Sequence, residues 1–374
     1  MRIKKIEAFP LRYAETNDYN NERHIVVVRV ETGDGVIGWG EAVSMWAEAS
    51  LTTKVMIDRG FAPLLLDRDP LDINALWQAM KERSWWYGEG GIASFALSAL
   101  DMALWDLKGK ALGVPVHQLL GGKIHDRLRA CASTHPSKPT VEAMARELAE
   151  HVEHGYTAVK VGFGKKGEAN LGTDPKRDIA FARAVREAIG EETDFIIDLG
   201  HATRWEVAHA IRMGREFERY NIRWYEDPLR GSDWEGYRRV TEALTTSIAT
   251  GEDEWTAAAY SRLIGAGIGD ILLVDPGRAE GITGYQKVIE MTVNAHRYIN
   301  AHSWSSAINT AASLHLTATA PNYIVMEMKP VPSPMQHELV YEPFEQKDGW
   351  LAVPDRPGLG VEVNEAALRK YLYE

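Results

Sequence analysis

The chain has 374 residues, of which 45% are apolar and 25% charged, so it can bury a substantial core. This length favours one large domain accompanied by a smaller one. The formal net charge of −11 argues against nucleic acid or an anionic membrane as partner, because both require a basic surface. The single cysteine, Cys131, excludes an internal disulfide framework and agrees with a reducing compartment.

The N-terminal stretch MRIKKIEAFPLRY contains four basic residues but no apolar run long enough for a signal peptide. No window of the sequence approaches the length of a membrane span. We therefore expect a cytoplasmic protein without a membrane or nucleic-acid partner.

Residues 1–125 are predicted to form an α+β domain. The stretch HIVVVRVETGDGVIGWGEA has a β-branched run, a Gly-Asp-Gly turn and a second short strand, which is typical of a meander. The stretch GIASFALSALDMALWDLKGKALG has apolar residues spaced three and four apart and ends at Gly113, before Pro115. These features predict a helix that ends at this glycine.

Residues 126–340 alternate short apolar runs with charged, helix-forming stretches, a pattern typical of βα units around a parallel sheet. Eight such units predict an α/β fold of the (β/α)8 type, a TIM barrel. Residues 341–374 contain many turn formers and one short helix. The eight runs are RACAST, YTAVKV, FIIDL, IRWYEDP, SIATGE, DILLVD, RYINAH and YIVMEM.

Seven of these runs end in a polar residue. In a barrel of this kind, catalytic residues lie at the C-terminal ends of the strands. Three of them, Asp198, Glu226 and Glu252, come from consecutive strands and would repel one another unless a cation bound them. Oxygen ligands favour Mg²⁺, one ion per subunit, with Mn²⁺ as a weaker alternative. The full set is Lys160, Asp198, Glu226, Glu252, Asp275, His302 and Glu327.

Asp275 and His302 end neighbouring strands, so the carboxylate could orient the imidazole as a general base. Lys160 would face the substrate from across the mouth of the barrel. The alternatives are an ion pair between Lys160 and one of the carboxylates, and a core role for His302.

The stretch YTAVKVGFGKKG, residues 156–167, also fits a G-x-G-x-x-G turn through Gly162, Gly164 and Gly167. A nicotinamide-dependent oxidoreductase would need its helix to begin at the third glycine, yet we expect the helix near Pro175 or later. The lysine is therefore the preferred functional residue of this stretch.

Together these motifs resemble the enolase superfamily and, within it, the mandelate racemase subgroup. The similar stretches are SALDMALWDLKGKALGVPVHQLLGG, WYEDP, TGE, VDPGRAEGIT, AHSWSSAINTAASLHL and PDRPGLGVEVN, the last like a C-terminal return to an N-terminal capping domain. The resemblance implies that Asp198, Glu226 and Glu252 bind Mg²⁺. It further implies that Lys160 and the Asp275/His302 dyad are the acid/base groups, that Glu327 hydrogen-bonds a substrate carboxylate, and that the chain forms a dimer or octamer.

Two positions depart from the family pattern. A Lys-x-Lys pair has Ala158 in its first place, and an Asp-x-Asn motif reads DLG, with Gly200 at the third position and His201 beside it. These changes alter the contacts of the substrate but leave the proton-abstraction groups in place.

The reaction implied is removal of the proton α to the carboxylate of a small molecule, with the charge stabilised by Mg²⁺ and Glu327. Dehydration of an aldonate or aldarate to a 2-keto-3-deoxy acid is preferred over racemisation or epimerisation, over cycloisomerisation of a lactone or anhydro-sugar, and over a catalytically idle binding barrel.

The preference for a polyol substrate comes from the lid segment, residues 14–24, AETNDYNNERH, which is rich in hydrogen-bonding side chains. A solvated loop is the alternative interpretation. The expected substrate contacts, besides Glu327, are His201, Tyr19, Asn20, Arg23, Trp46 and Trp304.

Overall fold

The computed structural model describes residues 1–165, 167–203 and 205–374, and for residues 201 and 202 the backbone alone. Its N-terminal part is an antiparallel sheet in the order β1 (Ile3–Glu15), β2 (Asn21–Thr32) and β3 (Ile37–Met45). We call this part the cap. A π-helical turn, Met56–Phe61, joins the first two of its helices, which are α1 (Ala47–Val55), α2 (Ala62–Leu65), α3 (Ile73–Ser84), α4 (Ile92–Leu112) and α5 (Val116–Leu119).

Two glycines of β3 allow it to lie directly on α4. A Cβ on Gly38 would be 2.0 Å from the carbonyl oxygen of Ala103, and one on Gly40 would be 2.0 Å from that of Ala99. Both distances are far below van der Waals contact, and the obstructing atoms belong to the helix backbone. The sheet can therefore approach the helix only with glycine at these positions.

Eight parallel strands form the predicted barrel within the described residues. Their order is β10-β9-β8-β7-β6-β5-β4-β11, and a bridge from Ile299 to Tyr323 brings the two ends together, so the barrel is nearly closed. The prediction of a TIM barrel with an N-terminal cap is confirmed. The strands are β4 (Arg127–Thr134), β5 (Ala158–Gly162), β6 (Asp194–Asp198), β7 (Ile222–Glu226), β8 (Ser247–Thr250), β9 (Ile271–Val274), β10 (Tyr298–Ala301) and β11 (Met326–Met328).

Amphipathic helices surround the barrel and bury their apolar faces against it. The helix after β5 begins at Pro175, as the sequence predicted. A 3-10 turn, Glu218–Tyr220, extends the helix that ends at Phe217. The helices are α6 (Val141–Glu153), α7 (Pro175–Ile189), α8 (Gly200–Thr203), α9 (Val207–Phe217), α10 (Trp234–Ala243), α11 (Ala257–Gly265), α12 (Gly281–Asn294), α13 (Ala307–Thr319), α14 (Pro334–His337) and α15 (Glu365–Tyr371).

The C-terminal segment contacts both the barrel and the cap. Its strand β12 (Trp350–Ala352) pairs antiparallel with β4, and the backbone N–H of Leu359 donates to Asp106 of the cap at 2.8 Å. Leu372 bridges to Leu11 in β1. Among the described residues, no helix is both long and apolar enough to cross a membrane.

Gly40→Ala should destabilise the protein, because its Cβ would collide with the backbone of α4 at Ala99. Overpacking of this kind costs about 1–3 kcal/mol, which thermal denaturation would detect as a lower Tm. Gly265→Ala is the matched control, since nothing lies within 4 Å of its added Cβ. Equal Tm values for the two variants would contradict the close-approach argument.

Candidate active site at the barrel mouth

Lys160 lies in β5 and points into the barrel among carboxylates. Its Nζ is 2.5 Å from Glu226 Oε1, 2.8 Å from Glu327 Oε1 and 3.9 Å from Asp198 Oδ2. Burial opposes the charge, but the carboxylates outweigh it and raise the pKa of Lys160 well above its ordinary value. The ion-pair alternative considered from the sequence is thus present, and proton transfer by Lys160 stays a prediction.

Glu327, in β11, uses both carboxylate oxygens. Oε1 accepts from Ser133 Oγ at 2.6 Å and lies beside Lys160, while Oε2 accepts from the backbone N–H of Ser303 at 3.0 Å. Burial would raise its pKa, but the ammonium of Lys160 lowers the pKa of Glu327 to about 2. Sequence reasoning missed Ser133, although it lies next to the end of β4, where the strand-end rule could have found it.

The predicted histidine–carboxylate pair is formed. His302 follows β10, and its Nδ1 is 2.7 Å from Oδ2 of Asp275, which follows β9. The other ring nitrogen, Nε2, lies 3.4 Å from Glu252 Oε2. Burial alone would lower the pKa of His302, but the carboxylates of Glu252 and Asp275 raise it to about 9.

A cap residue missed by the sequence reasoning, Glu41, supports this pair. Its buried carboxylate accepts hydrogen bonds from the hydroxyls of Ser305 and Ser306 and, at 3.2 Å, from the backbone N–H of Asn309. Asn309 Nδ2 then donates to Asp275 Oδ1 at 3.1 Å. Glu41 therefore fixes the first turn of α13, and this turn orients Asp275.

The predicted metal ligands lie around Lys160 and His302. Asp198 and Glu226 end β6 and β7, and Glu252 follows β8. In the described part of the chain, no three acidic or imidazole side chains already enclose a metal position; the Lys160 ammonium lies between Asp198 and Glu226 instead.

The chemistry of this donor set nevertheless fits a hard cation, since all three predicted ligands offer carboxylate oxygens. Asp227, fully buried beside them, leaves Oδ2 without a hydrogen-bond partner among the described residues. Burial and the neighbouring Glu252 and Glu226 raise the pKa of Asp227 well above its ordinary value. Negative charge at the mouth thus exceeds what Lys160 can neutralise.

Part of the lid segment lies over the mouth. Tyr19 donates its hydroxyl to the carbonyl of Pro136 at 2.5 Å. Arg23 bonds Asp18 at 2.5 Å, and its guanidinium lies 5.6 Å from the ring centre of Trp304. The structure therefore brings the predicted residues Tyr19, Arg23 and Trp304 together.

Asn20 and Trp46, two other predicted substrate contacts, are not part of this group. Asn20 is exposed, Trp46 is 61% exposed, and within the described residues neither side chain forms a hydrogen bond. The side chain of His201 lies outside the described part of the chain. Substrate contacts by these three residues stay predictions.

The structure revises the meaning of Ala158. This residue is fully buried in the lower, apolar layer of the barrel, with Ile196 and Trp224, so a lysine there would not reach the mouth. The inward position at the mouth that lacks a side chain is Gly162, the last residue of β5. A Cβ on Gly162 would lie 2.7 Å from Cε of Lys165, a residue that the sequence reasoning did not single out.

Asp275→Asn should lower the pKa of His302 from its raised value of about 9 in metal-free protein. Losing a close carboxylate shifts a pKa by roughly 1–2 units, which an NMR titration of the histidine in chelator would measure. The folded state binds the His302 proton more tightly than the unfolded state does. The His302–Asp275 pair therefore contributes fully to the stability of the folded protein below pH 6.5, and this contribution is lost as the pH rises through about 9.

The control for this titration is Asp126→Asn, whose side chain is 92% exposed. An unchanged His302 midpoint in Asp275→Asn would show that the carboxylate does not set the basicity of the imidazole.

Two family models match the chain. One described as "Enolase C-terminal domain-like" matches residues 143–367, and one described as "Mandelate racemase / muconate lactonizing enzyme, N-terminal domain" matches residues 4–121.

Similar proteins cover nearly the whole chain. A D-gluconate dehydratase of Thermoproteus tenax is 31% identical, with 100% of this chain and 74% of the relative covered. A D-galactarolactone cycloisomerase of Agrobacterium fabrum is 29% identical, with 94% and 92% covered. The crystal structure of the 3,6-anhydro-D-galactonate cycloisomerase from Zobellia galactanivorans matches with a TM-score of 0.90, 30% identity and 100% of both chains covered. The chain therefore belongs to the enolase superfamily, in its mandelate racemase subgroup.

Proposed function

We propose that this protein is a Mg²⁺-dependent acid-sugar dehydratase, which converts an aldonate or aldarate to a 2-keto-3-deoxy acid. One observation carries the proposal: the His302–Asp275 pair, the Lys160–Glu327 pair and the three predicted metal ligands meet at one barrel mouth. Relatives named D-gluconate dehydratase and arabinonate dehydratase support the substrate class.

In this proposal Asp198, Glu226 and Glu252 hold the metal ion, with Mn²⁺ as a weaker substitute for Mg²⁺. When bound, such an ion stabilises the negative charge that develops on the oxygens of a carboxylate whose α-proton is being removed. The protein supplies the rest of the chemistry.

The side chains around the substrate then have separate tasks. Lys160 attracts the substrate carboxylate and offsets the charge of Glu327, which lies 2.8 Å from it. His302 is held at Nδ1 by Asp275, so Nε2 is the nitrogen that exchanges a proton with the substrate. We assign His302 to the β-hydroxyl, which leaves as water after accepting its proton, and Lys160 is the second predicted acid/base group.

The lid segment would bind the polyol chain through Tyr19, Asn20 and Arg23. Trp304, Trp46 and His201 complete the proposed substrate contacts. These groups offer hydrogen-bond donors and aromatic surface, which suit the hydroxyl groups and the carbon faces of a sugar acid.

Cycloisomerisation is the second candidate, and two similar proteins named as cycloisomerases favour it. The first step is the same removal of an α-proton. A ring oxygen would then leave in place of water, so no atom is lost from the substrate. Epimerisation would instead return a proton to the opposite face of the α-carbon.

The panel experiment separates these reactions. With Mg²⁺ in D₂O and with D-gluconate, arabinonate, galactonate, mannonate, galactarolactone and 3,6-anhydro-galactonate, NMR should show a 2-keto-3-deoxy product formed with loss of water from at least one open-chain acid. Lys160→Ala and His302→Asn should lose at least about 10²-fold in rate, the usual scale for acid/base groups. α-Deuteration without a keto product would favour epimerisation, and a keto product formed without loss of water would favour cycloisomerisation.

Glu226→Gln should weaken Mg²⁺ binding at least about tenfold, which corresponds to 1.4 kcal/mol, in a calorimetric titration. The amide keeps the shape of the side chain but loses the charge that attracts the cation. Glu150→Gln on the exposed face of α6 is the control. Equal affinities in both variants would remove Glu226 from the metal site.

A further inference from the structure

A second histidine–carboxylate pair lies at the mouth, apart from Asp275 and His302. His135 directly follows β4, and its Nδ1 is 3.2 Å from Oδ1 of Asp18 in the lid segment. Its imidazole is only 7% exposed, with its ring centre 4.8 Å from that of Trp304 and 6.4 Å from that of Tyr19. The sequence reasoning did not single out this pair.

The edge of this imidazole that carries Cδ2 and Nε2 lies beside Gly162. A Cβ on Gly162 would lie 2.6 Å from His135 Cδ2 and 3.0 Å from His135 Nε2. Because side chains two residues apart point to the same face of a strand, position 162 lies directly above Lys160 at the mouth. Gly162 also stands in register with Asp198 on β6. The imidazole therefore fills the place of the missing side chain together with Cε of Lys165, which would lie 2.7 Å from the same Cβ.

Two polar atoms here are available to a ligand. Within the described residues, His135 Nε2 has no hydrogen-bond partner, and Nε1 of the neighbouring Trp304 is buried without one. Buried donors without partners are rare in native structures unless water or a ligand satisfies them. A substrate oxygen could accept from Trp304 while Nε2 faces the carbon that carries the proton.

The charges around His135 favour a neutral ring. Burial lowers its pKa, and Lys165 acts in the same direction, while Asp18 and Asp198 oppose them. Asp18 itself is held ionised, since His135 and Arg23 outweigh burial and lower its pKa. A neutral ring that donates Nδ1–H to Asp18 has its lone pair on Nε2.

We propose that His135, oriented by Asp18, is the catalytic residue that accepts the proton α to the substrate carboxylate, the task predicted for Lys160. Lys160 already donates to Glu226 and is paired with Glu327. His135 is carried by β4, two strands from β10, which leads to His302. The inference rests on the proposed acid-sugar reaction. It assigns the base, His135, and the acid, His302, to the ends of two different barrel strands.

The step balances. The bond between the α-carbon and hydrogen breaks, the proton goes to His135 Nε2, and the electron pair enters the carboxylate to give an enolate. This pair then forms the double bond between the α- and β-carbons, and the bond from the β-carbon to oxygen breaks as the oxygen takes a proton from His302 Nε2. Water and an enol result, the enol becomes the 2-keto acid, and solvent returns the two imidazoles to their starting states.

The test uses the Mg²⁺-loaded protein and the 3-deoxy analogue of whichever acid the panel shows to react. This analogue has no β-hydroxyl to expel, so exchange of its α-proton with D₂O reports proton abstraction alone. Wild type and His302→Asn should exchange this proton, whereas His135→Asn should be at least about 10²-fold slower. Asn keeps a donor for Asp18 but has no Nε2, so the lid contact is preserved, and an unchanged Tm would confirm this.

His154→Asn is the matched control, because His154 is an exposed histidine at the end of α6. Full exchange in His135→Asn, or its loss in His302→Asn alone, would overturn the inference and make His302 the base. Loss of exchange in Lys160→Met with normal exchange in His135→Asn would equally overturn it, in favour of Lys160.

A second measurement does not depend on turnover. In protein labelled with ¹⁵N-histidine, the His135 ring, assigned by its absence in His135→Asn, should be neutral and protonated at Nδ1 at pH 7.5. A ring protonated at Nε2 would overturn the inference, whatever the substrate. If wild type converts no acid in the panel, the proposed function fails, and this tautomer still decides whether His135 has the form that a base requires.

Discussion

Crowding of negative charge at the barrel mouth is the constraint on which the arrangement of this site depends. Five carboxylates meet there, and Lys160 and the imidazole of His302 are the cationic groups that contact them within the described residues. Buried carboxylates repel one another unless charges or hydrogen bonds compensate them. They therefore share the two cations: Lys160 lies beside Asp198, Glu226 and Glu327, and His302 lies beside Glu252 and Asp275. The five are Asp198, Glu226, Glu252, Asp275 and Glu327.

The cap contributes to the geometry of this site, so it is more than a cover. Glu41 is fully buried, and without partners its carboxylate would be costly to bury. The first turn of α13 supplies those partners, and its Asn309 then bonds Asp275. Because Glu41 lies on β3, the position of the cap sheet helps to set the geometry of the His302–Asp275 pair. Gly38 and Gly40, which let β3 lie on α4, thus also contribute to the geometry of the site.

The fold and the strand-end residues could be predicted because both follow from local pattern. Apolar runs reveal strands, and polar residues at the ends of parallel strands must meet at one edge. Glu41 and Asp18 could not be found in this way, since each reaches the mouth from the cap by a contact between residues distant in sequence. The vacant position at the mouth, Gly162, was missed for a related reason. The sequence pattern shows which residues share a face of β5 but not the depth at which each lies, so Ala158 was taken for the vacant position.

The lid segment connects the cap to the proposed base. Lys329, two residues beyond Glu327, forms a buried ion pair with Glu15 at 2.6 Å, and Asn17 exchanges hydrogen bonds with the backbone of Val331. Both contacts hold the turn that carries Asp18. If Asp18 orients His135, these contacts keep the partner of the base in place. A base that is oriented by a residue of the cap confines proton abstraction to a substrate enclosed between cap and barrel, where the resulting enolate is protected from solvent protons.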